Sequence, residues 1–195
     1  MLKERLRNYN IILASGSPRR QHFFKELDID FTIDVREVVE TYPLHLRGSE
    51  ITDYLAKLKA SMFNDLTQND IVVTSDTIVW MEDEAINKPK DFNEARQMLE
   101  RLSGSAHEVI TSVCFTGADF QKIVNDTTRV CFRELTKEEI EYYLNTYQPF
   151  DKAGSYGVQE WIGYVGIDRL EGSYFNVMGL PTRLVYKTLM ELGGT

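Results

Sequence analysis

One stretch constrains this chain more than any other. The apolar run Ile11-Ile12-Leu13 leads into Ala14-Ser15-Gly16-Ser17-Pro18-Arg19-Arg20, and an amphipathic segment follows over residues 21–27. Ser17 suits a helix N-cap, and Pro18 suits the first helical position. The chain must therefore run from a strand through a tight Ser/Gly turn into a helix start. Unpaired backbone N–H groups at such a start attract anions. Two arginines in the first turn oppose the helix dipole, where acidic residues would be favoured. The misfit is explained if the arginines hold an anion against the turn. A solvated arginine pair on a surface helix is the competing reading, and the stretch alone does not separate the two.

Composition narrows the classes. A chain of 195 residues is long enough for one full core, so a single domain over residues 1–195 is expected. The formal net charge of -8 argues against broad nucleic-acid binding and against an anionic membrane surface. No apolar run is long enough to span a bilayer, and residues 1–10 are polar and charged, without a signal-peptide core. A cytoplasmic protein is the expectation. Cys114 and Cys131 lie in strand-like runs with no metal spacing, and are expected to be buried thiols in a reducing compartment.

Periodicity and punctuation predict the elements. Strands are expected at residues 10–14, 31–35 and 71–74, and a hairpin over 78–81 and 85–86. Two long strands follow at 107–116 and 123–135, and the last strand at 162–170. Helices are expected at 18–27 and 50–66, at 92–102 behind an Asp91 cap, and at 136–146 with a Thr136/Glu139 capping box. A last helix runs from Pro181 to about Gly193. The alternation predicts an α/β fold, with a mixed sheet carrying helices on its faces.

Several polar residues stand where ligands gather in such sheets. Asp76 and Thr77 follow the 71–74 run, near what would be a strand's carboxyl end. Glu37 and Glu40 are three apart and in a helical turn would share a face, giving a hard-oxygen pair for Mg²⁺ or Mn²⁺; the alternative is a solvated acidic loop. Lys59, on an amphipathic helix, and Lys88, before Pro89, could each reach a phosphate or be ordinary surface charges. His107 reads as structural. Asp151-Lys152-Ala153-Gly154-Ser155-Tyr156-Gly157 is denser: its small residues let backbone approach a ligand, or make a well-ordered turn with a local Asp–Lys pair. Gln159 offers one acceptor and two donors, which match the N–H and flanking carbonyl of a uracil or thymine edge; an exposed polar residue is the alternative.

Taken together, residues 13–20, Ser75-Asp76-Thr77, Lys88-Pro89, Leu102-Ser103-Gly104, residues 151–157 with Gln159, Gly172-Ser173-Tyr174 and Met178-Gly179-Leu180-Pro181 resemble, in order, the Maf family of nucleoside triphosphate pyrophosphatases, in particular its dTTP/UTP branch. The resemblance implies a single α/β domain with an elongated mixed sheet and two lobes flanking a nucleotide cleft. It implies hydrolysis of a nucleoside triphosphate to the monophosphate and pyrophosphate, a divalent metal, and a homodimer in the cytoplasm.

The family's pattern places the catalytic aspartate at Asp76 and the positions that separate the dTTP/UTP branch at Arg19, Thr77 and Gln159. It places the triphosphate and metal site at Ser15, Arg20, Glu40, Lys59 and Lys88, with Glu37 a looser match. Among these, Glu40 and Asp76 are the metal ligands the resemblance implies. Asn87, before the Lys-Pro pair, and Glu160-Trp161, after Gln159, depart from the pattern. Two competing readings stand beside this one. The methyl-GTP branch of the family is disfavoured by Arg19, Thr77 and Gln159. A nucleotide-binding regulator of cell division without turnover is disfavoured by the set Asp76, Glu40 and Lys88, since a pure binder needs no base.

Overall fold

The computed structural model describes residues 1–194. In chain order the helices are α1 (Leu2–Leu6), α2 (Pro18–Glu26), α3 (Ser49–Ala60), α4 (Phe92–Leu102), α5 (Lys137–Tyr147), α6 (Trp161–Gly166), α7 (Tyr174–Val177) and α8 (Thr182–Leu192). The strands are β1 (Asn10–Leu13), β2 (Phe31–Ile33), β3 (Asp70–Met81), β4 (Glu84–Ile86), β5 (Ala106–Thr116), β6 (Gln121–Phe132) and β7 (Ile167–Glu171). A 3-10 turn occupies Ala153–Ser155. The strands form one seven-stranded sheet in the order β2-β1-β3-β5-β6-β7, with β4 paired to β3 off this path. β1 runs parallel to β2 and β3, whereas β4 on β3 and β7 on β6 are antiparallel, so the sheet is mixed and the fold is α/β.

The chain forms two compact units. The first holds Met1–Asp76, Thr111–Asp126 and the segment from Gly179 onward; the second holds Thr77–Ile110 and Thr127–Met178. In the first, β1 sits between two parallel neighbours, with Ile11 opposite both Phe31 and Ile71. Helix α2 turns Phe23 and Phe24 inward, and Phe24 meets Phe31 edge-on at 5.4 Å. Helix α3 buries Ile51, Leu55, Ala56 and Ala60, the spacing of one helical face. It ends at Ala60 rather than running to residue 66. Asn64 and Asp65 are poor helix-interior residues, and buried Phe63 turns back with its N–H on the Ala60 carbonyl.

The second unit packs around Leu99, Leu102, Val109, Val130, Tyr143 and Leu144. Its helix starts follow local rules. Asp91 accepts from the Glu94 N–H, and Thr136 and Glu139 form the expected capping box. Two expectations about the strands fail. Residues 71–74 and 78–81 are one continuous strand, β3, so Asp76 and Thr77 lie within a strand and not beyond its end. The polar triplet between the two apolar runs stays extended because Ser75 and Asp76 are buried by what packs on them. The run 162–170 is not one strand either. Trp161–Gly166 is helix α6, and only Ile167–Glu171 is strand. The glycine at 163 permits this: a Cβ there would lie 1.9 Å from the Val158 carbonyl oxygen, so the turn packs against backbone. Cys114 is buried and Cys131 half-buried, against the expectation that both are buried; both are free thiols.

Candidate active site

The site in the first unit is assembled from β3, α3 and the turn after β1. On a strand, alternate residues share a face, so Thr74 and Asp76 both point toward α3. Thr74 Oγ1 donates to the Ala56 carbonyl at 2.7 Å, and the buried alanines Ala56 and Ala60 permit that close approach. One helical turn after Ala56, Lys59 meets Asp76: its Nζ lies 2.7 Å from Asp76 Oδ1. The same ammonium lies 3.2 Å from Glu40 Oε1. Lys59 and Asp76 are largely enclosed, with side chains 18% and 9% exposed. Lys59 is in the last turn of α3, where the helix dipole favours a cation.

Arg20 approaches from α2. Its Nε donates to the Gly179 carbonyl at 2.8 Å, and its Nη1 reaches the Ser75 carbonyl at 3.3 Å and Ser15 Oγ at 3.4 Å. Ser15 Oγ also accepts the Ser17 N–H, so the turn is closed by Ser15, while the Ser17 side chain makes no capping bond. Gln21 Nε2 donates to the Ser15 carbonyl at 3.2 Å. Space beside Gly16 is open, since a Cβ there would meet nothing within 4 Å. A ligand can therefore come up to this backbone without displacing protein.

Burial governs the electrostatics. It pushes the Asp76 carboxyl above the usual carboxylate range, against the pull of Lys59 and Arg20. It draws the Arg20 guanidinium down to about 10, still protonated at neutral pH. A buried carboxylate of raised basicity beside two fixed cations is an arrangement suited to taking a proton next to a polyanion.

Among the described residues, no group of three or more His, Cys, Asp or Glu side chains is placed to hold a metal. Glu40 and Asp76 nonetheless converge on one ammonium, and two hard carboxylates suit Mg²⁺ or Mn²⁺, which keep several waters and take phosphate oxygens for the rest. Glu37 does not join them as a helical pair, because residues 34–43 are irregular and Glu37 is exposed. That segment is held instead by Arg36. Its guanidinium lies 4.1 Å over the Phe63 ring and bonds Asp34, Asp65 and the Met62 carbonyl.

The remaining sequence candidates lie elsewhere. Arg19 is half-buried at the start of α2 in the first unit. Thr77 is half-buried in β3, Lys88 is exposed after β4, and Gln159 is half-buried, all in the second unit. Within that unit the loop over residues 151–157 is fixed near Lys88, since the Gly154 N–H donates to the Asn87 carbonyl at 3.2 Å. Gly154 has φ +68°, and a Cβ on it would strike Val79 at 2.9 Å, so this position requires glycine. The Asp151–Lys152 pair of the ordered-turn reading forms at 2.8 Å. At Gln159 it is the backbone carbonyl that takes a hydrogen bond, from Tyr164 Oη, at 2.9 Å. Trp161 packs edge-on against Tyr142 at 4.9 Å. Sequence reasoning missed the Gly179 carbonyl that holds Arg20. The Gly-Leu-Pro motif around it was visible, and Gly179 takes φ +100°.

Comparison with known proteins places this geometry in context. Residues 10–192 match the family described as Maf-like protein. A dTTP/UTP pyrophosphatase from Christiangramia forsetii is 60% identical over 193 residues, 98% of each chain. One from Flavobacterium psychrophilum is 58% identical over 192 residues, again 98% of each chain. Among solved structures, a HAM1 protein from Coxiella burnetii aligns over 94% of this chain and 99% of that one, with a TM-score of 0.49 and 14% identity.

Proposed function

The chain belongs to the Maf family, and on that premise we propose that it hydrolyses dTTP and UTP to the nucleoside monophosphate and pyrophosphate. One observation carries the reading at the level of chemistry: the buried Asp76 carboxyl, raised by its burial and faced by Lys59 and Arg20 beside an open Ser/Gly turn.

Phosphoryl transfer asks a protein mainly for in-line positioning and for stabilisation of spread negative charge. Asp76 orients a water toward the α-phosphorus and accepts its proton. The oxygen of that water bonds the α-phosphorus as the bridge to the β-phosphorus breaks, and pyrophosphate leaves with the electron pair. Lys59 and Arg20 offset the charge gathering on the phosphate oxygens, and Lys88 is the further phosphate-binding residue that the family pattern implies. Arg20 arrives already oriented by two backbone carbonyls, so little of its freedom is lost when substrate binds. The Ser15 hydroxyl offers the phosphates a further polar contact. Glu40 and Asp76 are the residues that would hold Mg²⁺ or Mn²⁺, which when bound neutralises phosphate charge. Gln159 reads the pyrimidine edge, accepting its ring N–H and donating to a neighbouring carbonyl, with Arg19 and Thr77 the other residues of specificity.

No described helix is long and apolar enough to cross a membrane; a cytoplasmic homodimer is what the family resemblance implies, and it is the arrangement we propose. The deciding experiment incubates the protein with Mg²⁺ and, separately, dTTP, UTP, CTP and a methylated GTP. Pyrophosphate and monophosphate should appear fastest from dTTP and UTP. Faster turnover of the methylated GTP would reassign it to the purine branch. Tight UTP binding without pyrophosphate would make it a regulator.

A further inference from the structure

We infer that Glu160 is a positioning residue for base recognition, its carboxylate closing the loop that presents Gln159 into one fixed shape. The inference rests on the reading of Gln159 given above. Glu160 directly follows Gln159, and its two oxygens face in two directions. Oε1 lies 3.1 Å from Lys152 Nζ, at the start of the 151–157 loop. Oε2 accepts the hydroxyl of Tyr143, on α5. That phenol oxygen in turn accepts the Gly157 N–H at 3.0 Å. The Glu160 N–H donates to the Gly157 carbonyl at 3.0 Å, and the Gly163 N–H to the Glu160 carbonyl at 2.9 Å. One carboxylate thus ties the two ends of the segment from Lys152 to Glu160 to each other and to a helix.

The packing around it leaves little slack. A Cβ on Gly157 would lie 2.8 Å from the Glu160 carboxyl carbon. Tyr143 is fully buried, and burial with the neighbouring carboxylate pushes its hydroxyl far up, so it remains a donor at every working pH. Lys152 and Glu160 are 11% and 17% exposed. A buried pair of this kind adds little stability over apolar packing of the same volume, but it imposes one geometry. Hydrogen-bond readout needs that geometry, because a recognition group must be held within about 0.5 Å of its productive position. The Gln159 backbone carbonyl is held by Tyr164 and the next residue by Lys152 and Tyr143, so the backbone that carries the Gln159 side-chain amide is fixed.

The test compares kcat/KM for UTP and CTP in the wild type, Glu160→Gln, Tyr143→Phe, Gln159→Ala and the Glu160→Gln/Gln159→Ala double variant. Glu160→Gln removes the charge that holds Lys152 and keeps the size. It should lower kcat/KM for UTP by about tenfold, mostly through KM, and lower the UTP-to-CTP ratio nearly as far as Gln159→Ala does. The double variant should lose no more discrimination than Gln159→Ala alone, because Glu160 acts through Gln159. Tyr143→Phe should shift the ratio in the same direction by roughly threefold, and it decides the matter if Glu160→Gln does not fold. Equal losses for UTP and CTP in Glu160→Gln or Tyr143→Phe, or losses of discrimination that multiply in the double variant, overturn the clamp. An unchanged ratio in Gln159→Ala overturns the base reading and this inference with it.

Discussion

Each unit of the molecule buries a lysine against a carboxylate with a second, more exposed carboxylate outside it. In the first, Lys59 sits between Asp76 and Glu40; in the second, Lys152 sits between Glu160 and Asp151. What differs is how the inner carboxylate is completed. Glu160 has both oxygens engaged, by Lys152 and by the Tyr143 hydroxyl, inside a turn of backbone hydrogen bonds. Asp76 has its Oδ1 on Lys59, a guanidinium nearby in place of a neutral donor, and a carboxyl that burial has made more basic. A lysine–carboxylate pair completed by a neutral donor suits holding a loop; one left basic beside a second cation suits the proposed work on a proton and a polyanion. Residue identity is shared between the two sites, and completion of the shell separates scaffold from chemistry.

The largest test of that contrast is Asp76→Asn. It keeps shape and removes the base, and kcat for UTP should fall by roughly a hundredfold or more. Stability should not fall. A carboxyl whose folded pKa is raised destabilises the fold once pH exceeds its unfolded value, and the neutral amide removes that cost. Wild-type turnover in a folded Asp76→Asn protein would take Asp76 out of the mechanism.

The second test concerns His107, which the second unit keeps neutral. Its Nε2 bonds Tyr156 Oη at 2.7 Å, its Nδ1 has no hydrogen-bond partner among the described residues, and burial lowers its pKa to about 4. A histidine lowered from 6.5 contributes stability that is present above pH 6.5 and lost as pH falls toward 4. Urea midpoints between pH 7 and 4 should show a loss of up to about 3 kcal/mol that is missing in His107→Phe. The raised Asp76 acts in the opposite sense but equally in both proteins, so the difference isolates His107. Parallel curves would mean that His107 does not couple folding to protons.

Lys59→Met probes the first pair from its other side. It deprives Asp76 of its nearest cation, so kcat/KM should fall roughly thirtyfold, and the acid limb of its pH profile should move upward. An unmoved limb would mean that another group sets it. The smallest activity effects belong to the proposed outer phosphate-binding residues: Lys88→Ala and Arg20→Ala should each lower kcat/KM for UTP by about tenfold. They separate in stability. Lys88 is exposed, and its loss should leave Tm unchanged, whereas Arg20→Ala strips donors from the Gly179 and Ser75 carbonyls and should cost about 1–3 kcal/mol. Equal Tm values for the two variants would contradict the anchoring of Arg20.

Legibility followed the range of the forces involved. The Asp91 and Thr136 caps act over three residues, so the starts of α4 and α5 were readable from spacing alone. The strand–turn–helix at residues 10–26 was equally local. Helix α6 was not, because its glycine packs against the Val158 backbone rather than answering to periodicity. Asp76 is legible as a candidate, but its place inside a strand is not, since a polar triplet looks like a turn until other elements bury it. Glu160 stands out in the sequence only as a departure after Gln159, because its partners are 8 and 17 residues away in the chain.

By itself the sequence determined the strand–turn–helix at the start, the helix caps, the alternation that makes an α/β fold, and an ordered set of motifs specific enough to fix the family. All of these depend on backbone geometry and side-chain chemistry over a few neighbouring residues. The tertiary structure alone decided that Asp76 lies inside a strand and shares Lys59 with Glu40, that Arg20 hangs on the Gly179 carbonyl, and that Glu160 closes on Lys152 and Tyr143. Burial and long-range pairing set the basicity and the completed partners of these charges, and neither quantity exists until distant segments exclude water from the same place.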